Sequence, residues 1–570
     1  MLSTTLNTDF TPGTNRKGDM VSADWRFLLP NLEMDTIVCV GMPPISTTVV
    51  LSKMCRELFI FANHQLKIDL YYNALNNRNV KNLRMLLIKD SYKPVLSEKS
   101  VDLVFATTRK HFSKIIKGKQ DLMQLSQILK PTGVVFLKVD GLLGRRLIRL
   151  LKSNLVEDGA GYTQEYWLAP ALGRMRLAVP LNDRETGKFF TEKMLNGRSL
   201  KNKLLRSYGK LLGSYPRAII RGMTAPEILD APPDYLLTIG QKAGLDLSAY
   251  SWCVSAGGRY NAKKIVFYLF SREADKPVMV IKLTRSPEFN YRLENEYTAL
   301  NKLRDQNIVE CDSYPEPLFL DYHGNLAVVG QKVISGESLS ECTVASAGCP
   351  FARATIAWLT DFAQKTVQRI DEDELPKMVN SLRELLSRFA RIYKMHESHL
   401  SFLSEQIDRL ALADSSFPLV FQHGDAGCWN VIITDNRKIA YVDWEAAEPL
   451  GMPLWDLFYF VKTFGTIMFR KSGVHNSLLA FEQNILMPSE LGTLLIEVCE
   501  HYCETLQINK NLLEPLFYTC WVHRALKEAT RLSAQTLDSG HYVNLLRVAI
   551  EHKNTPVLQR LFSLSQNDGV

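Results

Sequence analysis

A chain of 570 residues exceeds what one hydrophobic core usually supports, so more than one domain is expected. Its content of 46% hydrophobic and 22% charged residues is ordinary for a globular protein, and 68 basic against 60 acidic residues leave a net charge of +8, too mild to point to nucleic acid. Residues 1–20 are polar without an apolar run, so no secretory signal is expected, and 10 cysteines without framework spacing suit a reducing, cytoplasmic setting.

After a flexible start at 1–22, the segment 23–190 carries short apolar runs at Thr36–Gly41, Leu58–Phe61, Met85–Ile88, Val101–Phe105 and Val134–Leu137. Helix-length stretches lie between several of them, the pattern of a doubly wound parallel sheet. Asp90, the Ser100–Phe105 run and Leu129-Lys130-Pro131-Thr132-Gly133-Val134-Val135 resemble class I methyltransferases that use S-adenosylmethionine. The cofactor loop departs from that family. Cys39 stands where an acidic residue is expected, and Gly41-Met42-Pro43-Pro44 brings two prolines that lack backbone N–H donors where a cofactor would be cradled. Asn63-His64 replaces the ribose-binding carboxylate, so S-adenosylmethionine is a doubtful cofactor and a degenerate domain is expected.

Residues 196–222 contain Arg198, Lys201, Lys203, Arg206, Lys210, Arg217 and Arg221 and no acid, with Leu200, Leu204, Tyr208 and Leu211 at helical spacing. Two readings stay open: a helix docking peripherally on an anionic membrane or a phosphorylated glycan or lipid, or a solvated interdomain helix. Ala231-Pro232-Pro233-Asp234 closes this 191–234 connection as a stiff linker.

From 235 to 335 a smaller α+β unit is expected. Gly257 and Gly258 break the apolar runs Tyr250–Val254 and Ile265–Phe270 as a turn over nucleotide would. Val278–Leu283 reads as a strand ending in Lys282, and Leu293, Tyr297, Leu300 and Leu303 mark a helix that carries Glu294 and Glu296. Residues 336–570 read as mainly helical, with helices over 351–370 and 382–395. The apolar window Leu450–Phe469 contains Asp456 and Lys462 and reads as core helix, not membrane span. Cys499, His501, Cys503 and His523 have ligand-like spacing for zinc, but a buried helix face explains them better.

The most informative run is Phe421-Gln422-His423-Gly424-Asp425-Ala426-Gly427-Cys428-Trp429-Asn430, followed by Val431–Ile433, a polar turn, and Tyr441-Val442-Asp443-Trp444-Glu445. A hairpin there places Asn430 and Asp443 side by side, an oxygen pair suited to Mg²⁺. The order His-x-Asp-x-x-x-x-Asn, then Asp after a hairpin, is the catalytic and metal-loop order of kinases. His-Gly-Asp with Asp-Trp-Glu resembles the aminoglycoside phosphotransferase and choline kinase family.

That resemblance implies a bilobal kinase-like fold over about 235–560. It implies an ATP-dependent phosphotransferase acting on a hydroxyl of a small molecule or glycan, with ATP and GTP not distinguished. Asp425 would be the base and His423 its loop support. Asn430 and Asp443 would hold Mg²⁺, Lys282 and Glu296 would clamp phosphates with Gly257 and Gly258 above, and Asp456 would brace the loop. Trp429, Glu445 and Glu448 are candidate contacts to a cationic acceptor. Two other readings remain, a pseudoenzyme scaffold and a methyltransferase.

Overall fold

The computed structural model describes residues 20–62, 65–76, 78–87, 96–106, 127–139, 162–169, 175–181, 217–222, 231–258, 263–271, 276–412, 416–532 and 534–563. Asn63-His64, Asp90, Arg259–Asn261 and the basic stretch 196–216 lie outside them. The described chain divides into two compact units. Among the described residues, one runs from 20 to 290 with 318–331, and the other takes in 291–317 with 332–563.

The first unit is built on one sheet of 13 strands. Strands β1 (Met34–Val40), β2 (Cys55–Ala62), β3 (Leu83–Leu87), β4 (Val101–Ala106) and β5 (Leu129–Val139) run parallel in the order 3-2-1-4-5, with α1 (Ile45–Met54) and α2 (Gln65–Leu75) as crossovers. Their runs are apolar almost without alternation because both faces are covered; all of β4 but Asp102 is buried. The Asp102 carboxylate accepts the N–H groups of Asp35 and Thr36 and meets Lys130, so it seals the start of β1.

Strands β6 (Tyr162–Ala169), β7 (Leu177–Pro180) and β8 (Arg217–Gly222) continue antiparallel, β8 between β5 and β6. Residues 217–222, which the expected helix included, are a strand, and the apolar run Ala218-Ile219-Ile220 is buried in the sheet. Nothing in the structure supports a membrane contact there, and no helix among the described residues is long and apolar enough to cross a membrane.

Helix α3 (Asp234–Lys242) precedes β9 (Ser251–Ser255), β10 (Ile265–Phe270) and β11 (Met279–Leu283), an antiparallel trio joined to the same sheet through β7. Strands β12 (Pro317–His323) and β13 (Leu326–Lys332) complete that edge. The glycine turn and the methyltransferase-like strands thus share one continuous sheet. A large buried cluster lies along it, in which Trp25 stacks 4.2 Å from Phe105 and packs on Phe136, while Trp252 packs on Phe267.

The second unit is mostly helical. It takes in helix α4 (Asn290–Asp305) and the short strand β14 (Gly336–Ser338). Helices α5 (Pro350–Thr366), α6 (Leu375–Ile392) and α7 (Glu397–Leu410) then lead into β16 (Pro418–Gln422), with the two-residue strand β15 (Gln368–Arg369) between α5 and α6. Helix α6 starts seven residues before the expected 382 because Pro376 sits in its first turn, where a missing N–H costs nothing. Helix α5 stops at Thr366, since β15 pairs with β16. After the hairpin β17 (Val431–Thr434) and β18 (Ile439–Tyr441) come β19 (Glu448–Gly451), α8 (Trp455–Lys471), α9 (Glu490–Leu506), α10 (Leu513–Ala529), α11 (His541–Glu551) and α12 (Pro556–Phe562). Helices α8 and α10 are buried almost all round, as core helices are. Cys499 and Cys503 are buried on α9.

Candidate active site

In the second unit the loop after β16 is held from three sides. Its backbone N–H groups at His423 and Gly424 donate to the Asp456 carboxylate at 2.6 and 3.1 Å, from the first turn of α8. His423 is fully buried, donates from Nε2 to the Val442 carbonyl at 3.1 Å and accepts the Asp425 N–H on Nδ1 at 3.2 Å. Those two bonds fix one neutral tautomer, and burial pushes the imidazole down to about 4. Burial also pushes Asp456 up to about 6 despite its N–H donors.

Gly424 has φ of +73°, and a Cβ there would lie 1.9 Å from the Ala446 carbonyl oxygen. Replacement Gly424→Ala is therefore expected to cost at least about 1–2 kcal/mol of left-handed strain, with the clash added. Urea unfolding of the variant checks this, and wild-type stability would contradict the loop geometry.

Asp425 remains about one-quarter exposed. Its Oδ1 accepts from Arg524 at 2.7 Å, and its Oδ2 lies 3.2 Å from the Asn430 amide nitrogen, which also donates to the Asp425 carbonyl at 2.8 Å. Burial works to raise this carboxyl, but Arg524 overrides it and holds the group far below the usual carboxylate range. With both donations made through its nitrogen, Asn430 turns its amide oxygen away from Asp425, available to a hard cation.

The hairpin forms with Val431 opposite Tyr441, so the backbone partner of Asn430 is Val442, at 2.9 Å, one residue short of the expected Asp443. Asp443 follows in the left-handed region at φ 70° and takes the chain out of the strand. Helix α4 secures the next turn: Asn295 donates to the carbonyls of Glu445 and Ala447, and Arg292 pairs with Glu445 at 3.5 Å. On the same helix Glu296 is fully buried while Glu294 is only half-buried, which selects Glu296 of the two expected candidates as the inward-facing acid.

Lys282 lies in the first unit with the glycine turn. Ser255, Val266 and Lys282 stand in one row across β9, β10 and β11. The strand end that enters the turn is thus about 10 Å from the lysine, two strand spacings. Lys282 is buried, and Gly258 has φ of +94° over the Lys263 stem.

Two cations on α10 escaped the sequence reading. Arg524 Nη1 and Lys527 Nζ donate to the Gly424 carbonyl at 2.8 and 3.1 Å, and Lys527 with His523 meets Glu448. Their signal was two cations three residues apart, Arg524 inside the apolar stretch Leu516–Leu526 and Lys527 directly after it. Burial acts to raise Glu448, but Lys527 and His523 hold it down to about 2, so Glu448 is committed. Glu445 is likewise taken by Arg292.

Residues 267–478 match the sequence model of the Phosphotransferase enzyme family. This segment supports a phosphotransferase. The match runs from β10 past α8 and so includes Lys282, the catalytic-type loop and Asp456. No curated protein matches the chain. Among solved structures, an aminoglycoside phosphotransferase, APH(3'')-Id from Streptomyces rimosus, is 17% identical, covers 52% of this chain and 97% of its own, and has a TM-score of 0.32. An rRNA methylase from Streptococcus thermophilus is 8% identical, with 36% and 94% covered and a TM-score of 0.23. WbdD, solved with a kinase inhibitor, is 12% identical, with 83% and 84% covered and a TM-score of 0.22.

Two buried histidines and a half-buried one set a pH dependence. Burial depresses His423 and His523 to about 4 and His541 to about 3. In the unfolded chain each protonates near 6.5. Their contribution to stability is complete above that pH and is lost as pH falls toward 4, whereas Asp456, raised to about 6, changes in the opposite sense with one proton against three. The thermal midpoint is expected to fall steadily from pH 7 to 4.5, and a flat profile in that window would overturn the assignment.

Proposed function

We propose that this protein transfers the γ-phosphoryl of ATP to a hydroxyl of a small molecule or saccharide. The observation that carries the reading is the state of Asp425: ionised, partly exposed, and fixed by Arg524 and Asn430 on a loop that His423 and Asp456 hold rigid. A carboxylate so placed orients an acceptor hydroxyl and takes its proton as the phosphoryl arrives. Asn430 and Asp443 offer an amide oxygen and a carboxylate, a donor set that fits Mg²⁺. Bound there, the ion would neutralise phosphate charge. Lys282 would take the α- and β-phosphates, with the Gly257-Gly258 turn of the same unit above them, and Glu296 is the acid the resemblance assigns to the phosphate clamp. Ten free thiols suit a cytoplasmic setting.

For the methyltransferase-like part we propose bracing in place of methyl transfer. The Pro43 carbonyl of its loop is taken by the Tyr71 hydroxyl at 2.6 Å, and α1 begins on Pro44 with no side-chain cap. The cavity of 790 Å³ in this unit is lined by Asp35, Cys55, Arg56 and Asp102, residues at the starts of β1, β2 and β4. Cofactor crevices of such sheets open at the opposite, carboxyl ends.

The test is calorimetric and thermal. ATP with Mg²⁺ is expected to raise the unfolding midpoint of the full chain, and S-adenosylmethionine to give a flat titration. Absence of any ATP response would end the phosphotransferase reading, and a saturable S-adenosylmethionine isotherm would end the bracing one.

A further inference from the structure

The surroundings of Asp425 are short of negative charge. Among the described residues Arg524 makes one ion pair, to Asp425, lies 3.3 Å over the Tyr459 ring, and keeps a buried Nε with no hydrogen-bond partner. Lys462 of α8 comes next. It is only 5% exposed, its ammonium meets His541 Nε2 at 2.6 Å and stands 5.0 Å from the Tyr542 ring centroid, and among the described residues no carboxylate pairs with it. Buried lysines are ordinarily paired with an acid. Burial first, then Arg524 and Arg470, push this one down to about 7, and Glu528, the acid that offsets them, already accepts the Tyr542 N–H.

The covers of Lys462, His541 and Tyr542, are themselves only half-buried. A third cation, Arg531, also acts on Asp425. The two acids that would suit a positively charged acceptor, Glu445 and Glu448, are occupied by Arg292 and by Lys527 with His523.

We propose that the acceptor carries an anionic group of its own, a phosphate or a carboxylate, received by Lys462 and Arg524 while its hydroxyl lies at Asp425. The tyrosines Tyr459 and Tyr542 give that site an apolar wall suited to the carbon skeleton between the two groups. This deepens the phosphotransferase reading and rests on it for the word acceptor; the anion site itself does not.

The experiment uses the full chain, saturated with ADP and Mg²⁺ so that added anions do not compete for the nucleotide site, and follows the thermal midpoint against inorganic phosphate, acetate and neutral glucose. Phosphate or acetate is expected to raise the midpoint, glucose to leave it unchanged, and whichever anion acts names the group. In Lys462→Met, which removes a lone buried charge and is expected to fold with an equal or higher midpoint, the anion response should weaken at least about tenfold, the loss of one charge-assisted hydrogen bond. Lys462→Arg should keep most of it. In parallel, ADP release should favour glucose 6-phosphate or glucuronate over glucose and over kanamycin.

An anion response equal in Lys462→Met and wild type, or none in either, would overturn the proposal, while ATP binding decides phosphoryl transfer separately. A Lys462-dependent anion response in a chain that ignores ATP would keep the anion site and end the kinase-like function.

Discussion

Asp425→Asn is expected to lower turnover by roughly 10²–10⁴-fold with nucleotide affinity unchanged, the usual weight of a positioned general base. The physical reason lies in its two oxygens. Oδ1 faces the Arg524 guanidinium and Oδ2 faces the Asn430 amide nitrogen, so both neighbours are donors. An asparagine must turn its own NH₂ toward one of them, which costs a hydrogen bond and removes the proton acceptor at once. Lys282 and Asp443 are untouched by the change and Asn430 keeps its bond to the residue 425 carbonyl, so a thermal shift with ATP and Mg²⁺ should persist.

Arg524→Met gives the complementary result. Without the guanidinium the Asp425 carboxyl moves up toward the ordinary range, and the acid limb of the kcat profile should move to higher pH. Measured kcat and nucleotide Kd for Asp425→Asn decide the matter: turnover within a few-fold of wild type would remove Asp425 from the chemistry.

The loop was legible because its chemistry is local. His423, Asp425 and Asn430 sit within eight residues, and the hairpin that carries Asp443 announces itself by two apolar runs around a polar turn. The parallel strands were legible for a similar reason, since a strand buried on both faces reads as an unbroken apolar run. The partners supplied at long range were hidden. Arg524 meets Asp425 across 99 positions, and Arg285 meets Asp24 across 261. An arginine in a helix or after a strand has no sequence pattern that says which carboxylate it finds. Residues 217–222 misled for another reason: their cations continued a basic run, while Ala218-Ile219-Ile220 belonged to the sheet.

Asp24→Ala is expected to destabilise the first unit by about 3–5 kcal/mol, the cost of leaving a buried charge without its partner. Asp24 and Arg285 are both fully buried and joined by two parallel bonds of 2.9 and 2.8 Å. The same guanidinium donates to the carbonyls of Lys263 and Ala256 at 2.9 Å, on the two sides of the glycine turn, and the Arg285 carbonyl accepts from Arg26 at 2.8 Å. The segment Met20–Leu28 is thereby tied to the turn at Gly257 and to the chain three residues past Lys282. An apolar pair should restore much of what a single change loses, because an ion pair removed whole leaves no stranded charge. Asp24→Leu with Arg285→Met is thus expected to be more stable than Arg285 left alone opposite alanine, yet to bind ATP more weakly than wild type, since the turn loses the two carbonyl anchors at Ala256 and Lys263. Chemical unfolding of the single and double variants with nucleotide titrations of each checks both halves. A single-variant loss below about 1 kcal/mol, the scale of an exposed pair, would show that Asp24 does not anchor the turn.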